Sequence, residues 1–101
     1  MPTLTPPKDC HSMRELRVQI DKLDRKLIEM LVARAGYIDR ASALKPGEGL
    51  PARIPERVED VVQKVRMNSD ELGMDPDLAE KLWRTLIDWS IAREERVLGP
   101  D

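Results

Sequence analysis

The chain has 101 residues, of which 36% are charged and only three are aromatic, with no Phe among them. This length allows one domain with a modest core, and the composition is typical of amphipathic helices rather than of a β-sandwich. The formal net charge of −2 gives no electrostatic support to a nucleic-acid partner or to an anionic membrane surface.

The cysteine content and the hydropathy favour a cytoplasmic protein. Cys10 is the only cysteine, so an internal disulfide is excluded and a reducing cytoplasm is the expected location. We expect neither a membrane span nor a signal peptide, because no apolar run has the required length or position. Cys10 lies beside His11 with no further group to complete a triad, so we expect no nucleophilic role for it.

The spacing of apolar residues and of turn residues along the chain predicts an all-α fold with one long helix and two shorter ones. Residues 1–11 include three prolines, which predicts a flexible N-terminal arm. The helical pattern continues from there almost to the end, so we place one helical domain at residues 12–98. No repeat or low-complexity segment interrupts it.

The long helix is predicted over residues 12–45. Ser12 and Glu15 have the spacing of a capping box, in which each side chain satisfies a backbone N–H at the helix start. Apolar residues then recur at steps of three and four, with Gly36 as the weak point in the interior. Pro46 is expected to end the helix. A break near Gly36 is the alternative.

The length of this helix predicts an intertwined homodimer. A helix of about 33 residues is about 50 Å long, whereas a compact 100-residue domain has a radius of gyration of about 13 Å. One copy of the chain therefore cannot cover the helix alone. We expect two long helices to lie against each other, in antiparallel orientation.

Turn residues divide the remainder of the chain. Residues 46–54 predict a mobile loop that could act as a lid. A second helix is expected to begin at Pro55 and to end before Gly73. A third is expected to begin at Asp75-Pro76 and to stop before Gly99. The predicted buried stripes are Val58, Val61, Val62, Val65 and Leu72 on the second helix, and Leu78, Leu82, Leu86 and Trp89 on the third.

Several charged residues share helix faces. Arg34 and Lys45 are eleven residues apart, close to three full turns, so they lie on one face. Arg17 is rotated away from them by about 100° and lies about 25 Å along the axis, so it could reach only a pocket of the other subunit. Ser90 and Glu94 share a face of the third helix. For each charge alone, a solvated surface position or, for Glu94, pairing with a neighbouring arginine is the alternative.

The order and spacing of these residues resemble the all-helical chorismate mutases, and most closely the branch that includes isochorismate-pyruvate lyases. The Asp9-Cys10 leader is also similar to that branch, and the resemblance covers roughly residues 9–98. The matching segments are Arg17-x-x-Ile20-Asp21-x-Leu23-Asp24, Leu31-x-x-Arg34, Lys45, Pro55-Glu56-Arg57-Val58 and Trp89-Ser90-Ile91-Ala92.

The resemblance implies a homodimer with two equivalent, shared active sites for a small dianionic substrate. Arg34 and Lys45 match substrate-binding positions, and Arg17 matches an arginine contributed by the partner subunit. Neither a metal nor a cofactor is expected, because the rearrangement of chorismate to prephenate is pericyclic. Arginines suit the two substrate carboxylates through bidentate hydrogen bonding.

The resemblance also assigns expected roles to four further residues. Glu56 matches a position that contacts the substrate hydroxyl, and Ser90 matches one near a substrate carboxylate. Arg53 could replace a cation that the mutase branch often has at the position of Pro55. Glu94 falls where many members have a glutamine that hydrogen-bonds the ether oxygen, and some a glutamate.

Lys45 and Glu94 are therefore the predicted catalytic residues. Both would donate to the ether oxygen as the C–O bond breaks. Glu94 can donate only when it is protonated, so turnover is expected to fall above about pH 6 to 7.

Three other functions stay open from the sequence. The first is an isochorismate-pyruvate lyase that forms salicylate and pyruvate, since both reactions use the same charge pattern and Pro55 favours that branch. The second is a non-catalytic helical dimerisation or adaptor module, which would leave the charged residues dispersed. The third is a catalytically silent domain that binds an aromatic metabolite.

Overall fold

The computed structural model describes residues 4–99, and within them it contains helices and no strand. A 3₁₀ turn at Pro7–Asp9 precedes helix α1 (Met13–Glu48), helix α2 (Pro55–Leu72) and helix α3 (Pro76–Leu98). The predicted all-α fold with one long and two shorter helices is thus confirmed. The first three residues of the predicted arm lie outside the described residues. None of the described helices combines the length and apolarity needed to cross a bilayer.

The chain divides into two compact units, one ending at Gly36 and the other beginning at Tyr37. In the first unit, the start of α1 is capped by its own side chains. Ser12 Oγ accepts a hydrogen bond from the Glu15 N–H at 3.1 Å, and the Glu15 carboxylate accepts one from the His11 N–H at 2.9 Å. The capping interaction is therefore confirmed, with His11 as the backbone donor. Helix α1 includes Gly36, so the alternative of a break there is wrong.

The first unit leaves its large apolar side chains exposed. Met30 is 65% exposed and Leu27 is 58% exposed, although both lie on the stripe that the periodicity assigns to a helix interface. Since α1 carries these residues over many turns, its first half has an apolar surface that the unit itself does not cover. The other large apolar residues exposed there are Met13, Val18, Ile20, Leu23, Ile28, Leu31 and Val32.

The core of the second unit lies between α2 and α3, which pack against each other. Val62 is at its centre and is only 1% exposed. Ala52, from the segment before α2, and Ile87 and Ile91 of α3 complete the buried cluster. The partly buried side chains that pack around this cluster are Val58, Val61, Trp83 and Leu98.

Helix α1 ends later than predicted. It continues through Pro46 to Glu48, because a proline in the last turn removes only one backbone hydrogen bond. The end is set instead by Gly49, whose φ of 69° is in the left-handed region. The Leu50 N–H donates to the Lys45 carbonyl at 3.0 Å, which closes a Schellman motif. The expectation of a loop beginning at residue 46 is therefore wrong.

The ends of the other two helices are confirmed. Gly73, with φ 85°, caps α2. The Asp75 side chain accepts from the Asp77 N–H at 2.9 Å at the start of α3, and Pro76 occupies the first turn. Gly99 follows the last residue of α3.

Part of the predicted buried stripes is wrong. Leu72 is 85% exposed, and Leu78, Leu82 and Trp89 are each about half exposed. Helix α3 has two apolar rows, and it turns the row with Ala79, Ile87, Ser90, Ile91 and Glu94 inward. Periodicity detects both rows but does not identify which of them faces α2.

Candidate active site

The site is organised around an ion pair between the last turn of α1 and the C-terminal part of α3. Lys45 Nζ lies 2.7 Å from Glu94 Oε1, and it donates a hydrogen bond to the Ala52 carbonyl at 2.8 Å. Glu94 is only 4% exposed, and the Lys45 side chain is 16% exposed. The structure therefore brings together the two residues predicted to be catalytic. The alternative of Glu94 as a surface acid is wrong.

The Lys45 ammonium holds Glu94 Oε1 by charge, at 2.7 Å. Among the buried side-chain atoms of the described residues, Glu94 Oε1 has no hydrogen-bond partner. A buried polar atom without a well-directed partner is rare and costly in a folded protein. The positive charge of Lys45 offsets this cost at Oε1.

Two buried serines lie on the same helices. Ser90 is one turn before Glu94 on α3, as the spacing predicted, and its hydroxyl donates to the Leu86 carbonyl at 2.7 Å. Ser42 is on α1, and its hydroxyl donates to the Ile38 carbonyl at 3.4 Å. Both residues are 3% exposed. Each of these two hydrogen bonds is made within the serine's own helix.

A second ion pair joins the same two helices. Arg93 Nη2 donates to Asp39 Oδ2 at 2.9 Å, and its Nε donates to Oδ1 of the same carboxylate. These hydrogen bonds from Arg93 lower the pKa of Asp39 below its ordinary value of 3.8. The Arg93 guanidinium also lies 5.3 Å from the centre of the Trp89 ring. Sequence reasoning missed this pair, since no local spacing relates Asp39 to Arg93.

Two of the other predicted site residues lie elsewhere in the second unit. Arg53 Nη2 lies 3.3 Å from Asp88 Oδ1, and both side chains are substantially exposed. Glu56 is exposed in the first turn of α2. Neither of them forms a hydrogen bond or an ion pair with Lys45 or Glu94, although Arg53 follows Ala52, whose carbonyl accepts from Lys45.

The two predicted arginines of the first unit differ in exposure. Arg17 is exposed and Arg34 is partly buried.

The described residues contain no group of His, Cys, Asp and Glu arranged to hold a metal ion.

The Lys45–Glu94 pair offers hydrogen-bond donors within a mostly buried environment. An ammonium has three N–H donors, and a carboxyl has one when it is protonated. Because the surroundings exclude most water, such donors stabilise negative charge on a bound oxygen more strongly than they would in solution. The arrangement suits an all-helical domain that binds an anionic molecule.

The comparison with known proteins identifies the family. The family model described as chorismate mutase type II matches residues 16–95, so the chain belongs to this family. The resemblance noted in the sequence is confirmed.

Three relatives show the range of the family. The isochorismate pyruvate lyase of Pseudomonas aeruginosa is 33% identical over 89 residues, covering 87% of this chain and 86% of that protein. The T-protein of Haemophilus influenzae is 32% identical over 85 residues, covering 84% of this chain but 22% of that protein. The chorismate mutase of Methanocaldococcus jannaschii is 24% identical over 86 residues, covering 85% of this chain and 87% of that protein. The chain thus spans about a fifth of the T-protein.

Proposed function

We propose that the chain is a chorismate mutase, an isomerase that converts chorismate to prephenate without a cofactor. The observation that carries the proposal is the buried Lys45–Glu94 pair in a member of this family. An ion pair in the interior is not expected in a dimerisation or adaptor module. Burying charges costs on the order of several kcal/mol per ion before their attraction is counted. A cytoplasmic location is part of the proposal, on the basis of the lone cysteine.

The reaction explains the residue types. Chorismate rearranges within one molecule: its ether C–O bond breaks while a C–C bond forms, and no group leaves. Negative charge develops on the ether oxygen in the transition state. Lys45 stabilises this charge with an N–H group, and Glu94 supplies a second donor in its protonated form.

The surroundings of Lys45 orient its ammonium group. The Ala52 carbonyl accepts one N–H at 2.8 Å, and the Ala52 side chain is held in the buried core. The Glu94 carboxylate attracts a second N–H. A third remains for the substrate oxygen, so the ammonium needs little reorganisation when the substrate binds.

Arginines bind the two substrate carboxylates in the proposed site. Arg34 serves the site of its own chain, and Arg17 of the partner subunit completes it. Ser90 lies near a carboxylate, and Glu56 and Arg53 contact the remaining polar groups of the substrate. To contact the substrate, Arg53 must leave its ion pair with the exposed Asp88. Breaking this pair costs little, because exposed ion pairs are weak.

The proposed assembly is a homodimer with shared sites. The first half of α1 exposes a long series of apolar side chains, and a helix with such a surface requires a covering partner in water. A second copy provides one with the same long helix, together with the exposed apolar row of α3. Leu27→Glu should therefore dissociate the dimer in light-scattering measurements. Leu72→Glu, at a residue that is 85% exposed in α2, should leave it intact.

A mixing experiment tests whether the sites are shared. Arg17→Ala and Lys45→Ala should each be inactive alone. After random exchange of subunits, about half of the dimers are mixed, and each mixed dimer has one intact site. The mixture should therefore recover about a quarter of the wild-type activity, whereas no recovery would contradict a site built from two chains.

A spectrophotometric assay tests the reaction itself. Loss of chorismate absorbance with formation of prephenate supports the mutase, and Arg34→Ala should abolish it while the helical circular dichroism is retained. Glu94→Gln tests donation by Glu94, because the glutamine amide keeps an N–H donor in the same place. This variant should retain turnover, and an inactive Gln variant would contradict donation by Glu94.

The alternative activity is that of an isochorismate-pyruvate lyase. It is favoured by the similarity to the isochorismate pyruvate lyase, since this chain matches 86% of the length of that relative. Salicylate formed from isochorismate, with little prephenate from chorismate, would select the lyase. Absence of both products would favour a non-catalytic role.

A further inference from the structure

Two ion pairs of opposite polarity join the C-terminal part of α1 to α3. Helix α1 contributes the anion Asp39 and the cation Lys45, and α3 contributes the adjacent residues Arg93 and Glu94. Only the Lys45–Glu94 pair has a role in the proposed reaction. The Asp39–Arg93 pair is partly exposed, so its role is not explained by a need to neutralise buried charges.

The two pairs differ in how well they fix a geometry. Lys45 presents a flexible ammonium that can approach a carboxylate from many directions. Arg93 instead uses Nε and Nη2 for the two oxygens of one carboxylate, and such a two-point contact fixes both distance and orientation. The same guanidinium lies 5.3 Å from the centre of the Trp89 ring, which restrains it from a second side.

We infer that Asp39 and Arg93 are positioning residues, which hold α3 against α1 so that the Glu94 carboxyl faces the Lys45 ammonium. This inference rests on the proposed function, because it assigns the pair a role in the same site. Arg93 immediately precedes Glu94, so fixing the Arg93 side chain sets the rotation of α3 at the residue that acts on the substrate. Each residue on a helix is rotated by about 100° from the next.

The effect of the pair should appear in turnover rather than in substrate binding. Lys45 and Glu94 act on charge that develops only in the transition state, whereas the arginines bind carboxylates present throughout. A shift of about 1 Å at a catalytic group is enough to lower a rate severely. Loosening α3 should therefore lower kcat and leave KM nearly unchanged.

The chain contains a matched control for this test. Arg84 Nη1 and Nη2 donate to the two oxygens of Glu59 at 3.2 and 3.0 Å, so this is also a two-point pair between helices. It joins α2 to α3, and neither residue forms a hydrogen bond or an ion pair with Lys45 or Glu94. Glu59→Gln should therefore weaken the packing of two helices without changing kcat.

The experiment compares Asp39→Asn, Arg93→Gln and Glu59→Gln in steady-state kinetics with chorismate. The two Asp39–Arg93 variants should lower kcat by about tenfold with KM within about twofold of wild type, and Glu59→Gln should leave both constants unchanged. The charge-reversed double variant, Asp39→Arg with Arg93→Asp, should recover most of the lost kcat. Equal kcat in all three single variants, or no recovery in the reversed pair, would overturn the inference.

Crystal structures of the same variants separate this inference from the proposed function. The Lys45–Glu94 separation of 2.7 Å should increase in Asp39→Asn and stay unchanged in Glu59→Gln. If the wild-type protein did not turn over chorismate, the proposed function would fail while this distance would still decide the positioning role. An unchanged distance in Asp39→Asn would overturn it.

Discussion

The buried Lys45–Glu94 pair makes a specific prediction about stability. Replacing Lys45 by Met keeps most of the side-chain volume but leaves the Glu94 carboxylate buried without its cation. Replacing both residues, as Lys45→Met with Glu94→Leu, removes the charge altogether. If the pair is present for function, breaking it should destabilise the protein and replacing it should not.

The magnitudes follow from the burial of the two side chains. Removing one member of a buried pair costs about 3 to 5 kcal/mol, and the 16% exposure of Lys45 favours the lower value. The lost hydrogen bond to the Ala52 carbonyl adds about 1 kcal/mol. We therefore expect Lys45→Met to lower the free energy of unfolding by about 3 to 4 kcal/mol. The double variant should lie within about 1 kcal/mol of wild type.

Urea unfolding at one fixed protein concentration measures these differences, since the stability of an oligomer depends on concentration. Lys64→Met is a suitable control, because Lys64 pairs with Asp60 on the exposed side of α2, and it should leave the midpoint unchanged. Both Lys45 variants should lack turnover. If Lys45→Met were as stable as wild type, burying Glu94 without its cation would not cost the free energy assumed above. A double variant as unstable as the single would show that packing, rather than charge, causes the loss.

Three further predictions concern the scaffold. Val62→Ala should cost about 2 kcal/mol in urea unfolding because it leaves a cavity in the core, whereas Val97→Ala, at an exposed residue, should cost less than about 0.5 kcal/mol. Hydrogen bonds from Arg84 lower the carboxyl pKa of its two glutamate partners below the ordinary 4.5, so these pairs add stability above that pH and lose it as the pH falls through the lowered values. The difference in urea midpoint between wild type and Arg84→Gln should be present at pH 7 and should shrink as the pH is lowered below 4.5, and a constant difference would contradict this. Gly73→Ala should lower the melting temperature, because φ 85° is unfavourable for alanine; an unchanged melting temperature would contradict this.

Local signals in the sequence predicted most element boundaries. Capping residues and helix-initial prolines act within a few residues, so Pro55 and Asp75 identified the starts of α2 and α3 correctly. The prediction that α1 ends at Pro46 was wrong, because it also used only the local effect of one residue. Its effect depends on how many residues of the helix follow it, and the residue that ends α1 is Gly49.

Contacts between distant residues were harder to predict. The spacing of Ser90 and Glu94 identified one face of α3, but the Asp39–Arg93 pair joins residues 54 positions apart. The exposed row with Leu78 and Leu82 shows the same limit. Helical periodicity finds apolar rows, while the choice of the row that faces α2 depends on how well the side chains of the two helices fit together.

Two features of the chain conflict with stability alone, and one explanation accounts for both. An ion pair in the interior is no more stabilising than an apolar pair of the same shape, and the apolar side chains along the first half of α1 are exposed to water. A single-chain binding module would lose no stability by replacing the ion pair, and it would gain solubility by replacing the exposed apolar residues with polar ones. In the proposed shared site, the long helix carries Arg17 to the other subunit, and the buried pair acts on the substrate that this arginine helps to bind. Leu27→Glu should therefore abolish turnover together with dimerisation, although Leu27 has no role in the chemistry; a monomeric variant with full activity would refute this connection.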